Sequence, residues 1–124
     1  MLVLAMKTTL ALLALTLLPP SALAGHLHPE SYYQKIWCDA HQGKTEVVLA
    51  DGTRADCMTA THAVEFDFVK KWAESIGQAL NYSSLTGKRC GIVLIGDGPK
   101  IYTVRRLIRH YRLPCDVWVM PCIE

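Results

Sequence analysis

Apolar and polar positions change period several times along this chain, and each change predicts an element. Arg54 to Met58 and His62 to Phe68 alternate in character, and Thr59-Ala60-Thr61 between them is short enough to join two antiparallel strands. Thr45 to Ala50 is a β-branched run that predicts a strand before them, with Asp51-Gly52 as a type I′ hairpin turn. From about Val69 to Leu85 the period becomes helical and places Trp72, Ile76, Ala79 and Leu80 on one inward stripe. Gly91 to Ile95 is a continuous apolar run of the kind that a strand covered on both faces requires. Gly96-Asp97-Gly98-Pro99 then turns the chain into an amphipathic helix over Ile101 to Tyr111, before a last strand over Asp116 to Met120. Upstream, Ser31 to His41 predicts a first helix, with Tyr32 or Tyr33, Ile36 and Trp37 inward and Gly43 ending it.

The predicted order is αβββαβαβ. It implies an α/β protein, a three-layer-type sandwich around a mixed sheet in which an antiparallel meander continues into parallel strands through helical crossovers. Residues 1–24 stand apart. Lys7, the apolar run Leu10 to Leu18 and Ala22-Leu23-Ala24 form a secretory signal with a small-residue cleavage site, so the expected mature domain is 25–124 and its expected location is periplasmic or secreted. About one hundred residues suffice for one small domain.

Charge adds little by itself. Thirteen Lys and Arg against 11 Asp and Glu give a net +2, and Lys7 belongs to the signal, so binding of a polyanion must come from local clustering. The five cysteines matter more, since all follow the signal and a small core gains most from cross-links in an oxidising compartment. Cys57 is expected to point away from Asp56 toward a helix-covered face, which predicts a Cys38–Cys57 disulfide. Cys90 and Cys115 each open a predicted parallel strand and form the second expected pair, leaving Cys122 over. With no Cys-x-x-Cys and with scattered histidines, a structural zinc site is not expected.

The chemistry is expected at the second hairpin. Asp56 on one strand and Glu65 and Asp67 on the next project from one face, because side chains repeat every second residue along a strand. Three carboxylates in an apolar setting repel one another and raise each other's pKa unless a hard divalent cation or a lysine neutralises them. Lys70 and Lys71 follow directly. Gln78 and Tyr82, spaced i and i+4, share one edge of the following helix. Glu30, at the start of the first helix, can swing toward the same acids.

These residues resemble the PD-(D/E)XK, or restriction-endonuclease-like, nuclease superfamily, in particular its resolvase-like and RecB-like members. Asp56 matches the family's first acid, Glu65 the acid of its second motif, and Gln78-Ala-Leu-Asn-Tyr82 its Gln-x-x-x-Tyr helix motif. The family's lysine, two residues after the glutamate, corresponds here to Asp67, so a lysine such as Lys70 has to supply that charge. The resemblance implies a restriction-endonuclease-like core and Mg²⁺- or Mn²⁺-dependent hydrolysis of nucleic acid. Asp56, Glu65 and Asp67 would hold the metal, Lys70 would stabilise charge, and Gln78 and Tyr82 would contact the phosphate backbone. Arg105, Arg109 and Arg112, expected on one face of the last helix, would suit a phosphate backbone as well, and without aromatic interleaving they would position nucleic acid rather than read it. The rival expectation keeps the fold without catalysis, as an exported binding domain or envelope component, and Asp67 in the lysine position favours it. No Ser-His-Asp or Cys-His order stands out, and Gly96-Asp97-Gly98 lacks the lysine and hydroxyl of a P-loop.

Overall fold

The computed structural model describes residues 27–124, so the expected signal segment lies outside the described residues. The elements are α1 (Glu30–Ala40), β1 (Lys44–Val48), β2 (Arg54–Met58), β3 (His62–Phe68), a short 3₁₀ turn (Val69–Lys71), α2 (Trp72–Thr86), β4 (Arg89–Ile95), α3 (Lys100–His110) and β5 (Cys115–Met120). One five-stranded sheet runs β1-β2-β3-β4-β5, with the first two pairings antiparallel and the last two parallel. The αβββαβαβ order and the mixed sheet agree with the expectation.

Strand alternation divides the interior. Val64, Phe66 and Phe68 of β3 and Val93 and Ile95 of β4 face α1, where Tyr33, Trp37 and Cys38 complete one core. Cys90, Ile92 and Leu94 face the other way and pack with Ala79 of α2 and with Val104 and Ile108 of α3. Helices therefore cover both faces of β4, which is why its apolar run is unbroken. Trp72, Ile76 and Leu80 pack against the second core as the helical period required, while Tyr32 and Ile36 of α1 turn outward at 38% and 42% exposure. Gly87 ends α2 in the left-handed conformation at φ 68°, which a residue without Cβ takes at no steric cost.

Both expected disulfides are present. Cys38–Cys57 ties α1 to β2 across a Cα separation of 5.8 Å, and Cys90–Cys115 joins the paired strands β4 and β5 at 4.3 Å. Cys122 is exposed and outside both bridges. Two cross-links in so small a domain fit an oxidising, extracytoplasmic setting. Among the described residues no helix is long and apolar enough to cross a membrane.

Four expectations need correction. The β1–β2 connection is not a two-residue turn at Asp51-Gly52 but a five-residue loop, 49–53. Leu49 N–H donates to Thr53 O at 2.8 Å, and the Asp51 carboxylate caps Thr53 N–H at 2.9 Å. Strand β1 ends at Val48 rather than at position 50. The helix expected from Val69 begins at Trp72, after the 3₁₀ turn. Finally, α3 ends at His110, so Arg112 stands off the helix in a turn with φ 52°.

Candidate functional site

The ladder between β2 and β3 holds only the pairs Cys57↔Val64 and Met58↔Ala63. Beyond them the strands separate, and the Phe66 N–H donates at 2.8 Å to Oδ2 of Asp56 rather than to a main-chain carbonyl of β2. A side chain thus takes over the acceptor's place, and the strands form a fork with acids at its mouth.

A cleft of about 530 Å³ opens at this fork, lined on the strand side by Asp56, Glu65, Asp67, Glu46 and Arg54. From α1 come Glu30 and Gln34, and from the segment leading through α2 come Lys71, Glu74, Gln78 and Tyr82. Helices from opposite faces of the sheet thereby reach the same opening. Lys71, Glu74, Gln78 and Tyr82 are spaced three, four and four residues apart, one helical stripe that faces the cleft, while the neighbouring stripe of Trp72, Ile76 and Ala79 packs on the core. Tyr82 Oη donates to Gln78 Oε1 at 3.4 Å.

Five of the six expected site residues, Asp56, Glu65, Asp67, Gln78 and Tyr82, come together here. Lys70 does not. It is exposed and lines a different depression with Phe68, Gly96, Asp97 and Cys122, whereas Lys71 faces the acids. Glu46, Arg54, Gln34 and Glu74 also line the cleft and are not among the expected site residues. The spacing of Glu30 and Gln34, i and i+4 on α1, and that of Glu74 and Gln78 on α2, carried the missing signal.

Burial makes these acids unusual. Glu65 and Asp67 are 4% and 3% exposed, and Oε2 of Glu65 and Oδ2 of Asp67 are buried without a hydrogen-bond partner. Burial first, then the Asp56 charge and a side-chain hydrogen bond with Asp56, push Glu65 to about 10. Burial also raises Asp67 to about 6 against the opposing pull of Lys71, and it raises Glu30 to about 7 with help from the charges of Asp67 and Asp56. Asp56 is held above the usual carboxylate range by its own burial, although the Phe66 N–H works against this. The Tyr82 hydroxyl is pushed up by burial and by the charge of Glu65. In each case burial is the largest cause, and the cations and donors nearby do not offset it.

Glu46 adds strain to the same place. Between the pairs Thr45↔Cys57 and Val47↔Ala55 it stands across from Asp56 with φ 54°, a left-handed conformation that costs a non-glycine residue about 1 kcal/mol or more. Arg54 Nε lies 3.6 Å from Oε2 of Glu46, so a cation reaches the outermost acid.

The expected nucleic-acid contacts lie elsewhere. Arg105 and Arg109 are exposed on α3, together with Arg106, and Arg112 follows in the turn. At the opposite end of β3, His62 Nε2 and Arg89 Nε both reach Oδ2 of Asp116 at 2.7 Å, a polar clasp that holds β3, β4 and β5 in register.

No family model matches the chain, and no curated protein or solved structure matches it either. Its chemistry has to be read from the cleft.

Proposed function

We propose that the cleft is the active site of a small exported metal-dependent phosphodiesterase of nuclease type, built on a restriction-endonuclease-like core. One observation carries this reading: Glu65, almost fully buried on a central strand, keeps an oxygen without a partner and faces Asp56 across the fork. A buried carboxyl oxygen left without a partner costs about 1–3 kcal/mol, so its retention calls for a ligand that satisfies it. The donors are all hard oxygens, which suit Mg²⁺ or Mn²⁺ rather than a soft metal.

The arrangement is open. Among the described residues no group of three or more His, Cys, Asp or Glu side chains is placed so that together they could hold a metal ion. Asp56 and Glu65 would hold the ion, with Asp67 completing or tuning the site, and the orphaned oxygens of Glu65 and Asp67 are the atoms left to turn toward it. When bound, such an ion activates water and neutralises the leaving oxygen of a phosphodiester.

The chain's own residues would do the rest. Lys71 offers a positive charge at the rim beside Asp67 and takes the part expected of Lys70, since helical spacing turns it inward. Gln78 and Tyr82, already hydrogen-bonded to each other, present an amide and a phenol along one wall to orient a phosphate. Tyr82 remains a hydrogen-bond donor at any physiological pH, because its environment raises its pKa.

Asp67 in the place of the usual lysine favours the rival, a non-catalytic domain of the same fold used for binding or within an envelope assembly. The presence of Lys71 in the cleft supports catalysis instead. Two measurements on the mature oxidised protein separate the readings: Mn²⁺ titration by calorimetry, and cleavage of labelled DNA and RNA with and without metal. A nuclease binds Mn²⁺ and cleaves; a chain that does neither is the rival.

A further inference from the structure

The acidic cleft has a basic counterpart on α3. Between Gly98 and Pro114 the chain carries Lys100, Arg105, Arg106, Arg109 and Arg112 and no Asp or Glu. The apolar side of α3 is spent on the core through Val104 and Ile108. Its outward side then consists of Tyr102, Arg105, Arg106 and Arg109, spaced three, one and three residues apart, and Tyr102 is 65% exposed. Among the described residues no carboxylate forms an ion pair with any of these arginines. Asp116 shares a depression with Arg105 and Arg109, but it is already taken by Arg89 and His62.

Three unpaired guanidinium groups around an exposed phenol ring match two needs at once. Arginines neutralise phosphates, and an aromatic face stacks on an unpaired base. A duplex hides its bases from such a ring, and a lipid headgroup offers it nothing to stack on. Only the first turn of α3 lies toward the cleft, since Arg105 and Arg109 sit at the end marked by Asp116. Helix α3 packs on the Val69–Lys71 turn, and Nζ of Lys100 lies 5.4 Å from the ring of Trp72, the residue after Lys71.

We infer that the outward face of α3 binds single-stranded nucleic acid, with Arg105, Arg106 and Arg109 on phosphates and Tyr102 stacked on a base. The inference deepens the reading of the cleft as a phosphodiesterase by naming its substrate as single-stranded, and it rests on that reading only for what happens after binding.

The test is fluorescence anisotropy of a labelled oligothymidylate at low salt in EDTA, which keeps binding separate from metal and cleavage. The expected result is binding that falls with salt, weakened about tenfold or more by the double variant Arg105→Ala/Arg109→Ala. Tyr102→Ala should weaken it about tenfold and Tyr102→Phe should restore it, while a duplex of equal length binds less tightly and ignores Tyr102. All four side chains are exposed, so thermal melts of the variants should match wild type. The inference is overturned if the oligothymidylate does not bind, if the variants bind like wild type, or if phosphatidylglycerol vesicles are bound and the oligonucleotide is not. Binding in EDTA by a protein that never cleaves with Mn²⁺ would support this inference and sink the cleft's catalytic reading.

Discussion

Asp56 and Phe66 belong to neighbouring strands, yet the carboxylate of the first, at 2.8 Å, accepts the main-chain N–H of the second. The bond serves two ends. It satisfies a buried donor that the ended ladder leaves over, and it fixes one oxygen of Asp56 so that the other can turn to a ligand. The substitutions Asp56→Asn and Asp56→Ala separate these ends. Asn keeps an acceptor and should retain the fold's stability to within about 1 kcal/mol while losing Mn²⁺ affinity; Ala should lose both, with a destabilisation of about 1–3 kcal/mol from the orphaned N–H. Thermal melts beside Mn²⁺ calorimetry decide it.

The raised pKa values fix the direction of the pH dependence. An acid that titrates higher in the folded than in the unfolded chain binds more protons when folded, so its contribution to stability is complete at low pH and is lost as pH rises. For Asp67 the window runs from 3.8 to about 6, for Glu30 from 4.5 to about 7, and for Glu65 from 4.5 to about 10. Metal-free protein should therefore melt at progressively lower temperature from pH 5 to pH 9. Glu65→Gln should flatten that slope and raise the melting point at pH 8 by about 5 °C, the shift that roughly 1 kcal/mol gives a domain of this size. A melting point that rises toward pH 9 in the wild type would contradict the assignment.

Lys70 and Lys71 are adjacent in sequence but turn in different directions, one toward the depression beside Gly96 and one into the cleft. Lys71→Ala should lower cleavage about 100-fold, the usual cost of one positioned charge. Lys70→Ala should stay within about twofold. Equal effects of the two, measured as single-turnover rates, would show that neither occupies a defined position in the site.

A Cβ on Gly43 would lie 2.6 Å from Sγ of Cys57 and 2.7 Å from Sγ of Cys38. The chain passes so close to the bridge that only glycine fits. Gly43→Ala should destabilise the oxidised protein by about 2 kcal/mol through overpacking, and it should cost less once the bridge is reduced, because the sulfurs can then move apart. Denaturant titration with and without reductant measures both.

How far the site could be read from sequence depends on register. Period-2 alternation in β3 placed Glu65 and Asp67 on one face and Phe66 on the other, and the same alternation in β2 placed Cys57 away from Asp56, toward Cys38. Those inferences need only local backbone geometry. Glu46 needed more. A two-residue turn at Asp51-Gly52 would have set Glu46 opposite Cys57, on the face away from the acids, whereas the loop 49–53 shifts the pairing by one residue and sets it across from Asp56. One residue of register exchanges the two faces of a strand. Lys70 misled for a similar reason, because the 3₁₀ turn and the late start of α2 determine which lysine shares a stripe with Gln78. The fork itself has no local signature, since it arises where β2 leaves β3 and Asp56 takes over the pairing.

The central claim is tested most directly by incubating wild type and Glu65→Gln, both oxidised, with single-stranded DNA and RNA in Mn²⁺ under single-turnover conditions. Glu65→Gln keeps the side chain's size but cannot become the anionic oxygen ligand that a metal ion needs. Wild type should show Mn²⁺-dependent cleavage that EDTA abolishes, and the variant a loss of about 100-fold or more with a melting point at least as high. Wild type that leaves both substrates intact, or a variant that cleaves as fast as wild type, would contradict the central claim.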